Sequence, residues 1–197
     1  MVLSNDGIKK ALSQGALAIS PTPSEVQYTT SAVDLFLGDE FWIWDQQRLD
    51  VRGFKPELDL SLQTFAETAD AFLVPLPKEN DGAVVFPPHR LRPWHILGKT
   101  HERVHLNRDY KLAARVEGRS SLARIGLLVH LTAPTIHCGF EGTITLEMIN
   151  FSPFHLRLVP RQTRICQLIV EQLESEPTIE IATAFQGQSS PTGERTN

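Results

Sequence analysis

Two short stretches of the chain hold residues whose types and spacing suit chemistry on a small anionic molecule. The first is Gly118-Arg119-Ser120-Ser121-Leu122-Ala123-Arg124-Ile125-Gly126. Glycine permits a tight turn. Ser120 is placed to cap a short helix, and the free N–H groups at such a helix start favour an anion. Arg119 and Arg124 are close enough in sequence to serve one local site. The same pattern also fits a capped helical turn with two solvated arginines. The second stretch runs from Gly142 to Ile149 and alternates cleanly: Ile144, Leu146 and Met148 share one face of a strand, Thr143, Thr145 and Glu147 the other. A carboxylate held there is a candidate general base, and it is equally what the wet face of an ordinary strand carries.

Other familiar chemistries fail on their residues. There is no Gly-x-x-x-x-Gly-Lys phosphate loop and no dinucleotide glycine fingerprint. A zinc-dependent nucleobase deaminase needs His-x-Glu and Pro-Cys-x-x-Cys; no His here precedes a Glu by two places, and Cys138 and Cys166 lie far apart. His137 and Cys138 are adjacent, so on an extended strand they point to opposite faces. No zinc is expected.

The elements that must position these residues read as mainly β. Runs rich in strand formers recur between turn residues at Ala32–Leu37, Phe41–Trp44, Ala71–Leu76, Trp94–Leu97, Tyr110–Val116, Leu127–Leu131, Gly142–Ile149, Phe154–Val159 and Arg164–Leu173. Short strands at this spacing predict a sandwich or barrel rather than βαβ units. One helix is legible at the start, with Ser4 or Asn5 as cap, Ile8, Ala11 and Leu12 at helical spacing, and Gly15 as stop. Asp45 to Thr68 reads as a long irregular loop. Residues 1–183 form a single expected domain, and 184–197 a polar tail with little core of its own.

Composition narrows the function classes. With 197 residues, 41% hydrophobic and 21% charged, the chain suits one globular domain. A formal net charge of −4 argues against nucleic acid as partner, while leaving room for a local basic pocket that takes a small anion. Two cysteines are too few for a disulfide scaffold. Without a signal-like N-terminal run or a stretch long enough to cross a bilayer, no membrane partner and a cytoplasmic location are expected.

Taken together, the motifs resemble the dCTP deaminase family of the dCTP deaminase/dUTPase superfamily. The central block carries the likeness: Gly118 to Gly126, then Val129-His130-Leu131-Thr132-Ala133, then Gly139-Phe140-Glu141-Gly142-Thr143-Ile144-Thr145-Leu146-Glu147. Arg164-Ile165-Cys166-Gln167-Leu168 looks like the family's following strand, Val33-Asp34 to Leu37-Gly38 like its early motif, and Phe185-Gln186-Gly187-Gln188 with Pro191 like its C-terminal lid motif. The resemblance implies a distorted β-barrel or jelly-roll-like domain with a short N-terminal helix and a flexible lid. It implies a homotrimer with sites shared between subunits. The expected reaction is zinc-independent deamination of dCTP to dUTP and ammonia, with Mg²⁺ carried on the substrate triphosphate and, as in some relatives, dTTP as an inhibitor.

By position Glu147 corresponds to the catalytic glutamate. The resemblance also implies that Arg124 positions Glu147 and the water, and that Ser120 and the Ala133 backbone hold water and base. Arg119, Ser120 and Ser121 would reach phosphates, Thr132 and His137 would belong to the substrate-binding set, and Gln188 would sit on the closing lid. Two departures stand out. Many relatives carry Asp-x-Gly where this chain has His137-Cys138-Gly139; that Asp contacts the sugar in deaminases and activates the attacking water in dUTPases. Ala184 stands where relatives have a Lys, and Arg195 is a candidate substitute. The alternatives are therefore a dUTP diphosphatase or bifunctional enzyme yielding dUMP, and a non-catalytic nucleotide-binding regulatory trimer.

Overall fold

The computed structural model describes residues 1–49, 57–179 and 186–192. Helix α1 (Asn5–Ser13) opens the chain, followed by β1 (Leu17–Ser20), β2 (Val33–Phe36) and β3 (Trp42–Trp44). A short α2 (Gln46–Leu49) and α3 (Phe65–Phe72) precede β4 (Leu73–Pro75), β5 (Val84–Phe86), the long β6 (Ile96–Leu106) and β7 (Leu112–Gly118). After α4 (Ser120–Ile125) come β8 (Leu127–Leu128), β9 (Thr135–Ile136), β10 (Glu141–Asn150), β11 (Leu156–Leu158) and β12 (Arg164–Gln172). One sheet runs β4-β3-β6-β10-β8 with β1 also on β6; a second runs β2-β12-β7-β9; β5 and β11 form a two-stranded ribbon. The fold is mainly β, as the spacing of strand signals implies.

The inner faces of the two larger sheets share one core. Ile96, Val104, Leu146 and Met148 from the first meet Val33, Leu35, Val116, Ile165 and Leu168 from the second. Helix α1 closes one end: Ser4 accepts from Gly7 N–H and caps it, Ile8 and Ala11 are buried, and Gly15 follows its end at positive φ. That start and stop match the sequence pattern.

Other boundaries differ from the sequence reading. Ala71 and Phe72 finish α3 instead of opening a strand. Thr64 and Glu67 form a reciprocal capping box that starts this helix inside the stretch read as an irregular loop. The Leu127–Leu131 run pairs only through Leu127 and Leu128. In the other direction, β6 extends far beyond Leu97, because its middle carries Lys99, His101, Glu102 and Arg103, which mask a strand in a hydrophobicity scan. The short strands β1, β5 and β9 were also not legible as periodic runs.

The chain places a carboxylate inside the core. On β6, Thr100 and Glu102 are 0% and 1% exposed. Here β6 carries two more residues than β10, since Thr143 faces Arg103 whereas Thr145 faces Lys99. The bulge is filled by side chains: Thr100 Oγ1 donates to Glu102 O at 2.8 Å and accepts from Ile144 N–H at 2.9 Å. Glu102 in turn accepts from Phe36 N–H at 2.8 Å and from the Gln27 amide at 3.1 Å. Replacing Glu102 by Ala orphans Phe36 N–H and leaves the Gln27 amide only its bond to Asp34 O; a buried unsatisfied group costs about 1–3 kcal/mol, so with the lost packing a fall of about 2–4 kcal/mol is expected in denaturant unfolding. Burial pushes the Glu102 carboxyl above its ordinary range. A raised folded-state pKa adds stability that is complete at acid pH and is lost as pH rises through the raised value. The deficit of Glu102→Ala should therefore be largest in acid and shrink toward neutrality.

Candidate functional site

On the outer face of the β6–β10 ladder lies a cavity of about 900 Å³. Its floor comes from Leu97, Thr145 and Glu147; β9 and its flanks supply Ala133, Thr135, His137 and Cys138; Trp44 and Phe65 form an apolar wall; and Gln186, Gln188 and Pro191 close one side. Strand alternation explains the floor. Glu147 pairs with Leu97 across the ladder, which puts both on the outer face while Leu146 and Met148 enter the core. The apolar wall has its own small core, in which Ala69, Leu73 and Leu97 pack with Trp42 and Trp44.

Glu147 is half-buried and accepts from Leu131 N–H through Oε2 at 3.3 Å. Its other carboxylate oxygen has no hydrogen-bond partner among the described residues, and Glu147 lines the cavity. Beside it is His95, whose Nδ1 accepts from the Trp44 indole N–H at 3.3 Å. Burial holds the His95 imidazole below its usual pKa, opposed by the Glu147 charge. His105, Asn107 and Arg108 line the far end. There, burial pushes the Cys138 thiol up, so it rests as a thiol at neutral pH.

The C-terminal segment is held by an unusual approach. Gln188 is 4% exposed; its amide donates to Thr143 O at 2.8 Å, its carbonyl accepts from Thr143 N–H at 3.0 Å, and its Oε1 is a buried acceptor without a partner. Gly187 N–H donates to Glu141 O at 2.7 Å. Gly142 has φ +153°, and a Cβ there would lie 2.9 Å from Gln188 O. Only glycine lets the two backbones meet. Further along, Ser190 donates to Glu40 at 2.6 Å, and Lys99 Nζ bridges Glu40 at 3.0 Å and Ser189 O at 2.6 Å. These contacts hold the Glu40 carboxyl below its ordinary range despite its burial.

Of the residues singled out from sequence, Ala133, His137, Glu147 and Gln188 line this one cavity. Arg119, Ser120, Ser121, Arg124 and Thr132 do not. Ser120, Ser121 and Arg124 are exposed on α4, and Thr132 is exposed on the adjoining loop. Ser120 is not the helix cap: Arg119 takes that position without a side-chain cap bond, and Ser120 begins the helix. Gly126 ends α4 at φ +107°, packed against the Ser152 backbone. Arg119 is anchored by buried Asp34, at 3.2 Å from Nε; Asp34 also accepts from Gln167 at 2.9 Å. Ala184, Phe185 and Arg195 lie outside the described residues. Sequence reasoning missed Trp44 on β3, His105 on β6, His95 just before β6 and Arg108 just after it. Among the described residues, no group of three or more His, Cys, Asp or Glu is placed to hold a metal ion, and no helix is long and apolar enough to cross a membrane.

A family model described as dCTP deaminase-like matches residues 2–173. The dUMP-forming dCTP deaminase of Methanosphaera stadtmanae is 37% identical over 175 residues, covering 88% of this chain and 80% of the relative. The dCTP deaminase of Rhodospirillum rubrum is 37% identical over 177 residues, covering 89% and 84%. Among solved structures, the crystal structure of 2′-deoxycytidine 5′-triphosphate deaminase from Agrobacterium tumefaciens matches with a TM-score of 0.58 at 17% identity, over 86% of this chain. The chain spans 47% of that protein's length, and the likeness speaks to the fold.

The close approach at Gly142 is open to test. Gly142→Ala forces a strained backbone or a shift of Gln188, a cost of about 1–3 kcal/mol. Its melting temperature should fall, and proteases should cut residues 186–192 faster than in the native protein. Unchanged protection of that segment would contradict the packing described.

Proposed function

The chain belongs to the dCTP deaminase-like family, and we propose that it hydrolytically deaminates dCTP to dUTP and ammonia with Glu147 as general base. The observation that carries this reading is the open oxygen of Glu147 on the wall of a cavity it shares with Ala133 and Gln188. Glu147 takes a proton from water as the oxygen adds to C4 of the cytosine ring and passes it to the ring nitrogen; it then takes the remaining hydroxyl proton and gives it to the amine, so that the C4=O bond forms, the C4–N bond breaks and ammonia leaves. The hydrogen bond from Leu131 N–H fixes one carboxylate oxygen and leaves the other to meet the water. Around it, Trp44, Phe65, Leu97 and Phe140 exclude bulk solvent, which strengthens every electrostatic contact inside. The substrate would be the Mg²⁺ complex of the nucleotide, the ion arriving with the triphosphate and offsetting its charge. The nucleotide is a soluble metabolite, and we place the enzyme in the cytoplasm.

The division of the candidate residues supports a homotrimer with shared sites. Arg119, Ser120, Ser121 and Arg124 project from a different part of the surface than the Glu147 cavity, so a neighbouring copy is the economical way to unite triphosphate-binding arginines with the base. Exposed apolar residues flank α4, with Phe151 62% and Ile125 45% exposed, and burial between copies would remove them from water. In this reading residues 184–197 serve as the lid, with Gln188 closing over the triphosphate, and the cavity walls leave dTTP room to act as inhibitor.

A second reading keeps the deaminase step and adds pyrophosphate release. It is favoured by the dUMP-forming name of the Methanosphaera stadtmanae relative. Against it stands His137, exposed on the cavity wall where a fixed carboxylate is needed to activate water for attack on phosphorus. Incubation with dCTP and Mg²⁺, with ammonia and pyrophosphate followed separately, decides between them. Ammonia alone is expected. Glu147→Gln should lower kcat by about 10²–10⁴-fold while dCTP binding, measured by calorimetry, survives. A fully active variant would remove Glu147 from the chemistry.

A further inference from the structure

Residues 186–192 lie along the outer face of the β6–β10 ladder, and successive residues have fixed partners. Gly187 N–H donates to Glu141 O, and Gly187 O accepts from Arg103 Nη1 at 3.4 Å. Gln188 follows against Thr143, and its amide also reaches Thr145 Oγ1 at 3.3 Å. Thr145 lines the cavity and shares a strand face with Glu147. Beyond Gln188 the hold changes in kind. Ser189 O accepts from Lys99 Nζ, Ser190 Oγ donates to Glu40, and Pro191 and Thr192 are buried.

These contacts meet at Glu40, just before β3. Its carboxylate accepts from Trp42 Nε1 on β3 at 2.8 Å, from Lys99 Nζ on β6 at 3.0 Å and from Ser190 Oγ at 2.6 Å. Lys99 bonds both this carboxylate and the backbone of Ser189, so the pair grips residues 189 and 190 together. The Lys99 and Glu40 side chains are 17% and 32% exposed, and a partly buried pair is screened less by salt than an open one. Hydrogen bonds to ionised groups are roughly twice as strong as neutral ones. Gln188 therefore sits between two charged anchors, Arg103 on one side and the Lys99–Glu40 pair on the other.

We propose that Lys99, Glu40 and Ser190 form a clasp that positions Gln188 for the nucleotide, and that its hold sets the affinity for substrate. Lys99, Glu40 and Ser190 line no part of the cavity, whereas Gln186, Gln188 and Pro191 wall one side of it. The three are positioning residues that act through Gln188. A nucleotide that binds the held segment does so with an apparent dissociation constant divided by the fraction of protein in which the segment is held. Loosening the clasp lowers that fraction and raises KM. Saturating nucleotide draws the segment back, so kcat is kept. A role confined to stability would act otherwise: the melting temperature would fall, and the protein that remained folded would keep its KM.

The clasp rests on the deaminase reading above, with Gln188 over the triphosphate. Steady-state kinetics on dCTP with Mg²⁺, paired with calorimetric binding of the same nucleotide, separates the two. Lys99→Met keeps the apolar stem and removes both bonds of the ammonium; KM should rise at least threefold with kcat within twofold. Lys99→Arg, which keeps a cationic donor, should recover most of that loss. Ser190→Ala changes only the C-terminal segment and leaves β3 and β6 as they are. It too should raise KM at least threefold, and it decides the matter should Lys99→Met not fold. An active native protein whose folded Lys99→Met or Ser190→Ala variant raises KM less than threefold overturns the clasp alone, as does a Lys99→Arg no better than Lys99→Met. A native protein that binds dCTP but releases no ammonia overturns the deaminase reading; the clasp is then judged on the dissociation constant, which the same variants should raise at least threefold. A native protein that neither binds nor deaminates dCTP overturns both.

Discussion

The register of β10 against β6 is the constraint on which the rest of the molecule depends. Strand side chains alternate with a period of two, so a slip of one residue would turn Glu147 into the core and bring Leu146 or Met148 out. Two features pin the register. Core burial holds the inner set, with Leu146 and Met148 fully buried. The bulge holds the offset, because Ile144 N–H finds Thr100 Oγ1 instead of a backbone carbonyl. A bulge stabilised by a buried hydroxyl and a buried carboxylate is expensive to shift, since each inward polar group has been given a specific partner.

The same ladder explains why one face is core and the other a site. Sheets of this kind usually leave their outer face to water. Here the segment around α3 and the C-terminal residues 186–192 cover part of that face, one with apolar rings and the other with backbone hydrogen bonds. The two covers differ in kind. Trp44 and Leu97 belong to a small apolar core that burial stabilises, with Phe65 exposed beside them. The Gln188 contacts are polar and local, and they depend on the missing side chain of Gly142. A cavity between a fixed apolar wall and a polar, locally held segment is suited to admitting a charged nucleotide and then excluding water from its base.

Much of this was legible in the sequence, for definite reasons. The β10 strand announced itself because its alternation is uninterrupted, and α1 because cap, stripe and glycine stop agree. The block Gly118 to Glu147 carried the family resemblance, which the family match over residues 2–173 bears out. What stayed hidden was of two sorts. β6 was underestimated because Thr100 and Glu102 point inward, reversing the polarity that a periodicity scan expects. His95 and Trp44 were unreadable as partners because nothing in the chain says that β3 lies beside the start of β6; that pairing is decided by long-range packing. The Ser120 cap was misplaced by one residue, a boundary that turn geometry settles and composition does not.

Separation of roles along the fold also bears on how the site tolerates its departures. His137 follows β9 on the cavity wall, where the family resemblance expects a carboxylate; Glu147 sits on β10, and Arg119 is held by Asp34 on β2. Glu147, the proposed base, His137 and the anchored Arg119 therefore rest on different backbone segments. Arg119 lines no part of that cavity, so a change at 137 is not forced on it through shared contacts. On the proposed reading, Glu147 keeps its orientation through the ladder and the Leu131 N–H whatever stands at 137, and this is the physical ground for proposing that deamination can be kept without phosphorus chemistry.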